Sequence, residues 1–133
     1  MALDRIMQGV IPYIGLDGAA AAADFYARAF GATEARDRVQ ADDGKRYMHI
    51  QLVINGGSLM LSDAFPEWGR PWQPSSSYTM QLVVEDIDFW FDRAVAAGCE
   101  VTQPVELMFW GDRFGAVKDP FGVEWAFNEA RPA

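Results

Sequence analysis

The chain has a single imidazole, His49, and it stands in an alternating segment, Tyr47 to Ile54. A lone histidine at near-neutral pH is the natural general acid or base, provided a strand aims it at a substrate. It can equally be a histidine fixed by hydrogen bonds to neighbouring strands. Carboxylates that could partner it are Asp112, next to Arg113 behind an aromatic pair and a glycine, and Asp63, which precedes a loop bearing Trp68 and Trp72. Asp112 and Arg113 suit the clamping of a charged ligand, or else an ion pair that fixes a loop. Asp63 beside tryptophans suits a cationic or flat aromatic ligand, or else a turn.

These residues need elements to position them, and the chain supplies the elements twice. Leu16-Asp17 opens an Ala-rich helix that closes at Gly31-Ala32, and Glu85-Asp86 opens a second that closes at Gly98-Cys99. The closing glycines lie half a chain apart. The first module reads as a strand over Val10–Leu16, a helix over Gly18–Phe30 capped by Asp17, and strands over Thr33–Ala41, Tyr47–Ile54 and Ser58–Asp63. Asp42-Asp43-Gly44 and Asn55-Gly56-Gly57 are its turns. In its helix, Ala21, Ala22, Phe25 and Ala29 form the apolar stripe and Asp24 pairs with Arg28. After the loop Ala64–Ser77, the second module repeats the plan: strand Tyr78–Val84, helix Ile87–Ala97 capped by Asp86, then strands near Glu100–Val105, Asp112–Lys118 and Val123–Asn128.

Each module is therefore β-α-β-β-β, and the class is α+β. A half-chain buries too little by itself, so residues 1–133 are expected to form one domain with internal modules at about 8–63 and 77–129. Their pairing would give a cup-shaped mixed sheet with helices on the outside. Period-2 alternation sends Met48, Ile50 and Leu52 to the helix side and His49 and Gln51 to the cup side. By the same rule Tyr13, Met60, Ser62, Thr79 and Gln81 are expected to line the cup. Trp110, Asp112 and Arg113 would stand at its mouth. Trp125 faces the helix side as core, and Phe89, Trp90 and Phe91 exceed what one core can hide, which predicts a homodimer.

Fifty per cent hydrophobic content and a net charge of −8 exclude nucleic acid and anionic membrane as partners and lean towards a cationic ligand. No apolar run is long enough for a membrane span, and no signal peptide is read at the N-terminus, so the expected location is the cytoplasm. Cys99, the single cysteine, forms no intramolecular disulfide and reads as a buried, inert thiol.

Paired βαβββ modules with this punctuation resemble the vicinal oxygen chelate superfamily of glyoxalase I, extradiol dioxygenases and bleomycin-resistance proteins. The likeness is nearest to its PhnB-like branch. It is carried by Pro12-Tyr13-Ile14, Asp24-Phe25-Tyr26, Ala29-Phe30-Gly31-Ala32, Met48-His49 and Leu59-Met60-Leu61-Ser62-Asp63. Above all it is carried by Phe109-Trp110-Gly111-Asp112-Arg113-Phe114-Gly115 and Asp119-Pro120-Phe121-Gly122. Such branch members have been labelled demethylubiquinone methyltransferase-like, yet no glycine-rich cofactor motif here supports methyl transfer. Metal-dependent members carry His or Glu ligands on the first, fourth, fifth and eighth strands. The corresponding stations fall near Ile11, Met60, Thr79 and Ala126, none of which suits a divalent ion.

The resemblance thus implies the fold without the metal chemistry, and no cofactor. The expected function is metal-independent binding of a small molecule, cationic or aromatic, as in drug or metabolite sequestration. The alternative is a metal-independent lyase, isomerase or hydrolase using His49 with a carboxylate such as Asp112. A metal-dependent glyoxalase or dioxygenase stands behind both.

Overall fold

The structure is a computed structural model that describes residues 5–130. The chain divides into two compact units, Met1–Ala27 with Gly31–Gln73 and Arg28–Phe30 with Pro74–Ala133. In the first unit, β1 (Tyr13–Leu16) leads into α1 (Ala19–Phe30), followed by β2 (Thr33–Glu34), β3 (Val39–Gln40), β4 (Tyr47–Ile54) and β5 (Gly57–Asp63). The sheet order is β1-β5-β4-β2, with β3 also on β4; β1 runs parallel to β5 and the other pairs are antiparallel. In the second unit, β6 (Met80–Val84), α2 (Ile87–Ala97), β7 (Glu100–Leu107), β8 (Arg113–Lys118) and β9 (Glu124–Glu129) build a sheet ordered β6-β9-β8-β7. There β6 is parallel to β9 and the rest antiparallel. The second unit is thus a βαβββ module; in the first, the strand expected over Thr33–Ala41 is two short strands, β2 and β3, so its sheet has five strands, and both sheets are mixed.

Local chemistry explains the elements. The β4–β5 hairpin needs positive φ at both central turn residues, and Asn55 (φ 51°) and Gly56 (φ 80°) provide it at low cost. On β4, Ile50, Leu52 and Ile54 are buried on one face, together with Leu59 and Leu61 of β5, while Met48, expected with them, is 43% exposed at the strand's start. In the second unit Leu82, Val84, Val117, Trp125 and Phe127 are buried. Phe30 in the last turn of α1 packs there on Trp125, ring centroids 4.2 Å apart. Gly115 lets β8 pass close beneath its neighbours, because a Cβ there would meet Val105 at 2.8 Å and Phe91 at 3.1 Å. The aromatic surplus of α2 is resolved on its surface. Phe89 is exposed, and the Arg93 guanidinium lies over the Phe89 and Trp90 rings at 4.8 and 4.6 Å.

Two local expectations change. Ala21 is exposed, and Tyr26 takes its place beside Ala22, Phe25 and Ala29. Asp24 also bonds Arg38 at 3.0 Å, which in turn holds Glu34 at 2.8 Å. Asp17 does not cap α1; the cap position is Gly18, in a left-handed conformation with no side-chain cap bond of its own. The orphan N–H groups of Gly18 and Ala19 donate instead to Asp63 Oδ1, at 3.1 and 2.8 Å. The second module keeps the expected Asp86 cap, which accepts from Phe89 N. It also shows a weaker echo of the long-range cap, since Glu129 at the end of β9 accepts from Ile87 N at 3.5 Å.

Cys99 is buried just ahead of β7, and burial, with Asp119 adding to it, pushes its thiol up to about 12. No helix among the described residues is long and apolar enough to cross a membrane.

Candidate ligand-binding site

The strand registers define a row of side chains across the open face of the first sheet. Tyr13 pairs with Met60, and Met60 with Gln51, so the three share a face. At one end of the row, Gln51 is 1% exposed. It lies beneath the 3₁₀ turn Arg5–Met7, its Nε2 donating towards Ile6 O at 3.4 Å and Met7 Sδ at 3.3 Å. Ser58 closes the same contact with a 2.6 Å bond to Ile6 O. Sequence periodicity put Gln51 on the correct face, but it could not show that an N-terminal turn covers it.

At the other end, Tyr13 meets His49. The Tyr13 hydroxyl donates to Met48 O at 3.0 Å and lies 3.0 Å from His49 Nδ1. The phenol thus engages the ring at Nδ1, and Nε2 is the nitrogen left for a ligand. Burial pushes the Tyr13 phenol up, and the nearby Arg70 cation partly offsets that rise.

A cavity of about 340 Å³ opens beside Tyr13. Gly15, Ser62, Asp63, Ala64 and the loop residues Arg70, Pro71, Trp72 and Gln73 complete its walls. Asp63 forms part of the wall, and its oxygens are already engaged by backbone N–H groups. Its Oδ1 takes the two α1 N–H groups and its Oδ2 takes Tyr47 N at 2.7 Å. Ser62 donates to Asp63 O at 2.9 Å. The loop is built rather than loose. Phe65 is buried under the Trp68 ring (4.6 Å) and the Arg46 guanidinium (4.5 Å). Reciprocal backbone bonds of 2.8 and 3.0 Å tie Phe65 to Arg70 across the turn.

Of the residues expected in the site, the cavity brings together Tyr13 and Ser62, joined by Asp63 and Trp72. Met60 is half-buried next to Tyr13 in the ladder. The sequence reading passed over Arg70, Pro71 and Gln73 because a Pro-, Gly- and Ser-rich loop has no periodicity from which direction can be read. The other expected residues lie in the second unit. Thr79 is exposed just ahead of β6, and Gln81 pairs with Ala126. Trp110 packs edge-on against Phe109 and Phe114, and Phe109 is 98% exposed. Asp112 accepts from Asn128 Nδ2 at 2.9 Å. Arg113 grips both oxygens of Asp88 at 2.9 and 3.0 Å and reaches Glu129 at 3.4 Å, which is the ion-pair arrangement.

A profile of the glyoxalase/bleomycin resistance protein/dioxygenase superfamily matches residues 3–127. The chain belongs to that superfamily. It is 42% identical over 124 residues to the uncharacterized protein Mb0911c of Mycobacterium bovis, covering 89% of this chain and 80% of that one. Its fold is similar to TioX from Micromonospora sp. ML1, with TM-score 0.65 and 28% identity, over 91% of this chain and 98% of the other. It is also similar to a PhnB protein from Bacillus cereus described as a putative 3-demethylubiquinone-9 3-methyltransferase. That likeness has TM-score 0.71 and 20% identity over 92% and 100% of the two chains, and shows the fold alone.

Membership raises the question of a metal. On the first sheet Tyr13 pairs with Met60, and on the second Gln81 pairs with Ala126. Neither pair, nor Ile11 or Thr79, offers an imidazole or carboxylate, so these positions do not fit a divalent ion. Among the described residues no group of three or more His, Cys, Asp or Glu is placed to hold one.

Proposed function

We propose that this protein binds a small aromatic molecule without a metal, as a sequestering protein of the superfamily's PhnB-like branch, acting as a cytoplasmic homodimer. The observation that carries the reading is the cavity beside β1. It has a volume in the range of small-molecule sites, an indole and a phenol in its walls, and polar groups held in place by backbone bonds. A glycine wall gives a direct test, because a Cβ built on Gly15 meets nothing within 4 Å. Gly15→Phe should fill the cavity while suiting a strand. In ligand-observed NMR with a panel of one- and two-ring aromatic fragments, the native protein should bind a subset after dialysis against zinc, nickel, iron or manganese without retaining a stoichiometric ion. Gly15→Phe should lose at least about tenfold in affinity with little change in unfolding temperature. Undiminished binding by Gly15→Phe, or a tightly held ion that binding requires, would remove the reading.

A second reading, a metal-independent lyase, isomerase or hydrolase, is favoured by one feature. Tyr13 holds the His49 ring at Nδ1 and leaves Nε2 for proton transfer with a substrate. If a reaction exists, His49→Ala should abolish turnover with only a modest loss of stability; if the site only binds, affinity alone should change.

The dimer has its own check. Phe109 and Leu107, exposed at 98% and 73%, continue past the β7 edge as apolar surface that a monomer has no use for. Sedimentation at micromolar concentration should give twice the chain mass, and a clean monomer would exclude the dimer.

A further inference from the structure

The charge balance of the whole chain favours a cation, but the cavity has the opposite character. In this acidic protein three guanidiniums sit in double carboxylate clamps: Arg38 between Asp24 and Glu34, Arg46 between Asp43 and Glu67, Arg113 between Asp88 and Glu129. Arg70 has no such clamp; among the described residues its side chain makes no ion pair or hydrogen bond. Yet it is placed firmly. The turn Phe65–Arg70 locks its backbone at both N–H and C=O, Gly69 (φ 75°) sets the exit angle, and Pro71 follows. Its charge is felt at the Tyr13 phenol across the cavity.

The rest of the polar inventory agrees. The single carboxylate in the wall, Asp63, has both oxygens occupied by backbone N–H groups. The Tyr13 and Ser62 protons are committed to carbonyls. The groups with donors to spare are the Arg70 guanidinium, the Trp72 indole N–H and the Gln73 amide, and all three come from one loop segment. A cation entering here would meet Arg70 and a carboxylate whose oxygens already accept three backbone N–H groups. An anion would meet the N–H fork of Arg70, carried on a fixed backbone, beside the Trp72 indole.

From this we infer that the ligand is a planar aromatic carboxylate, its ring against Trp72 and its carboxylate on Arg70. The inference rests on the binding role proposed for this cavity. A carboxylate is preferred to a phosphate because the single positive charge of Arg70 matches a single negative charge and leaves a dianion half-neutralised.

The test is calorimetric titration with matched probes: 2-naphthoate, 2-naphthamide, 2-naphthamidine and 2-naphthyl phosphate. The native protein should bind naphthoate about tenfold or more tighter than the neutral amide, with the amidinium weakest. Arg70→Gln should bring naphthoate and naphthamide to within about twofold of each other while sparing naphthamide, and Arg70→Lys should restore part of the preference. Arg70 is exposed, and among the described residues its side chain makes no ion pair or hydrogen bond, so these variants should fold normally. If naphthamide binds as well as naphthoate, or Arg70→Gln leaves the preference intact, the anion anchor is wrong while the binding site stands. Tighter binding of the phosphate ester overturns the choice of carboxylate. Failure of all four probes, together with the fragment panel, overturns both the inference and the binding role beneath it.

Discussion

Asp119→Ala is expected to destabilise the protein by roughly 3–5 kcal/mol, among the largest effects of any single polar substitution in the chain. Asp119 is 4% exposed. Its Oδ1 accepts from Phe121 N at 2.8 Å and Val123 N at 3.0 Å, and its Oδ2 from Trp125 Nε1 at 2.9 Å. Alanine would leave these donors without their acceptor in and around a packed core, and it would free the indole that packs on Phe30. The same residue ties the turn into β9, its own N–H donating to Val123 O at 2.9 Å. Asp119→Asn keeps one acceptor oxygen but points an amide N–H at donors on the other side, so it should fall between wild type and alanine. Urea unfolding followed by Trp fluorescence measures both. A loss below about 1 kcal/mol for alanine would mean that the Asp119-Pro120-Phe121-Gly122 turn holds itself.

Asp63→Ala should cost roughly 2–4 kcal/mol and also weaken ligand binding. Its carboxylate caps α1 from the far end of the module and holds the start of β4 through Tyr47 N at 2.7 Å. It is only half-buried, so water can replace part of what is lost, which places the cost below that of Asp119. Because Asp63 is also a wall of the cavity, the free α1 terminus and a shifted β4 should loosen the positions of Ser62 and Tyr13. Parallel unfolding curves and 2-naphthamide titrations separate the two effects. If stability falls while affinity of the folded protein is unchanged, the cap does not shape the site. If stability does not change, the long-range cap carries no weight.

The sequence by itself determined the module plan. Interrupted periodicity, the Asn55-Gly56 turn, the capping Asp86 and the half-chain repeat are local signals, and local physics decides such features: φ preferences, caps and alternation each act within a few residues. It also determined that Ile50 and Leu52 face one way and His49 the other, because a strand cannot change that order without slipping register. Trp125 as core and Cys99 as a buried thiol were readable for the same reason.

What only the tertiary structure decided depends on contacts far apart in the chain. Asp17 sits where a local cap belongs, but Asp63, brought alongside by the parallel β1–β5 pairing, wins the N–H groups of α1. Gln51 has the pattern of an open-face residue, and the turn at Arg5–Met7 covers it. Arg113 reads equally as ligand clamp or ion pair until Asp88 and Glu129 are seen around it. Arg70 carries no signal in its own neighbourhood. It becomes a candidate anchor only because folding gives Arg38, Arg46 and Arg113 their carboxylates, satisfies Asp63 from within, and leaves this guanidinium unpaired beside a cavity. Net charge is a sum over the chain, whereas a ligand responds to the few groups within reach, and only the fold determines which groups those are.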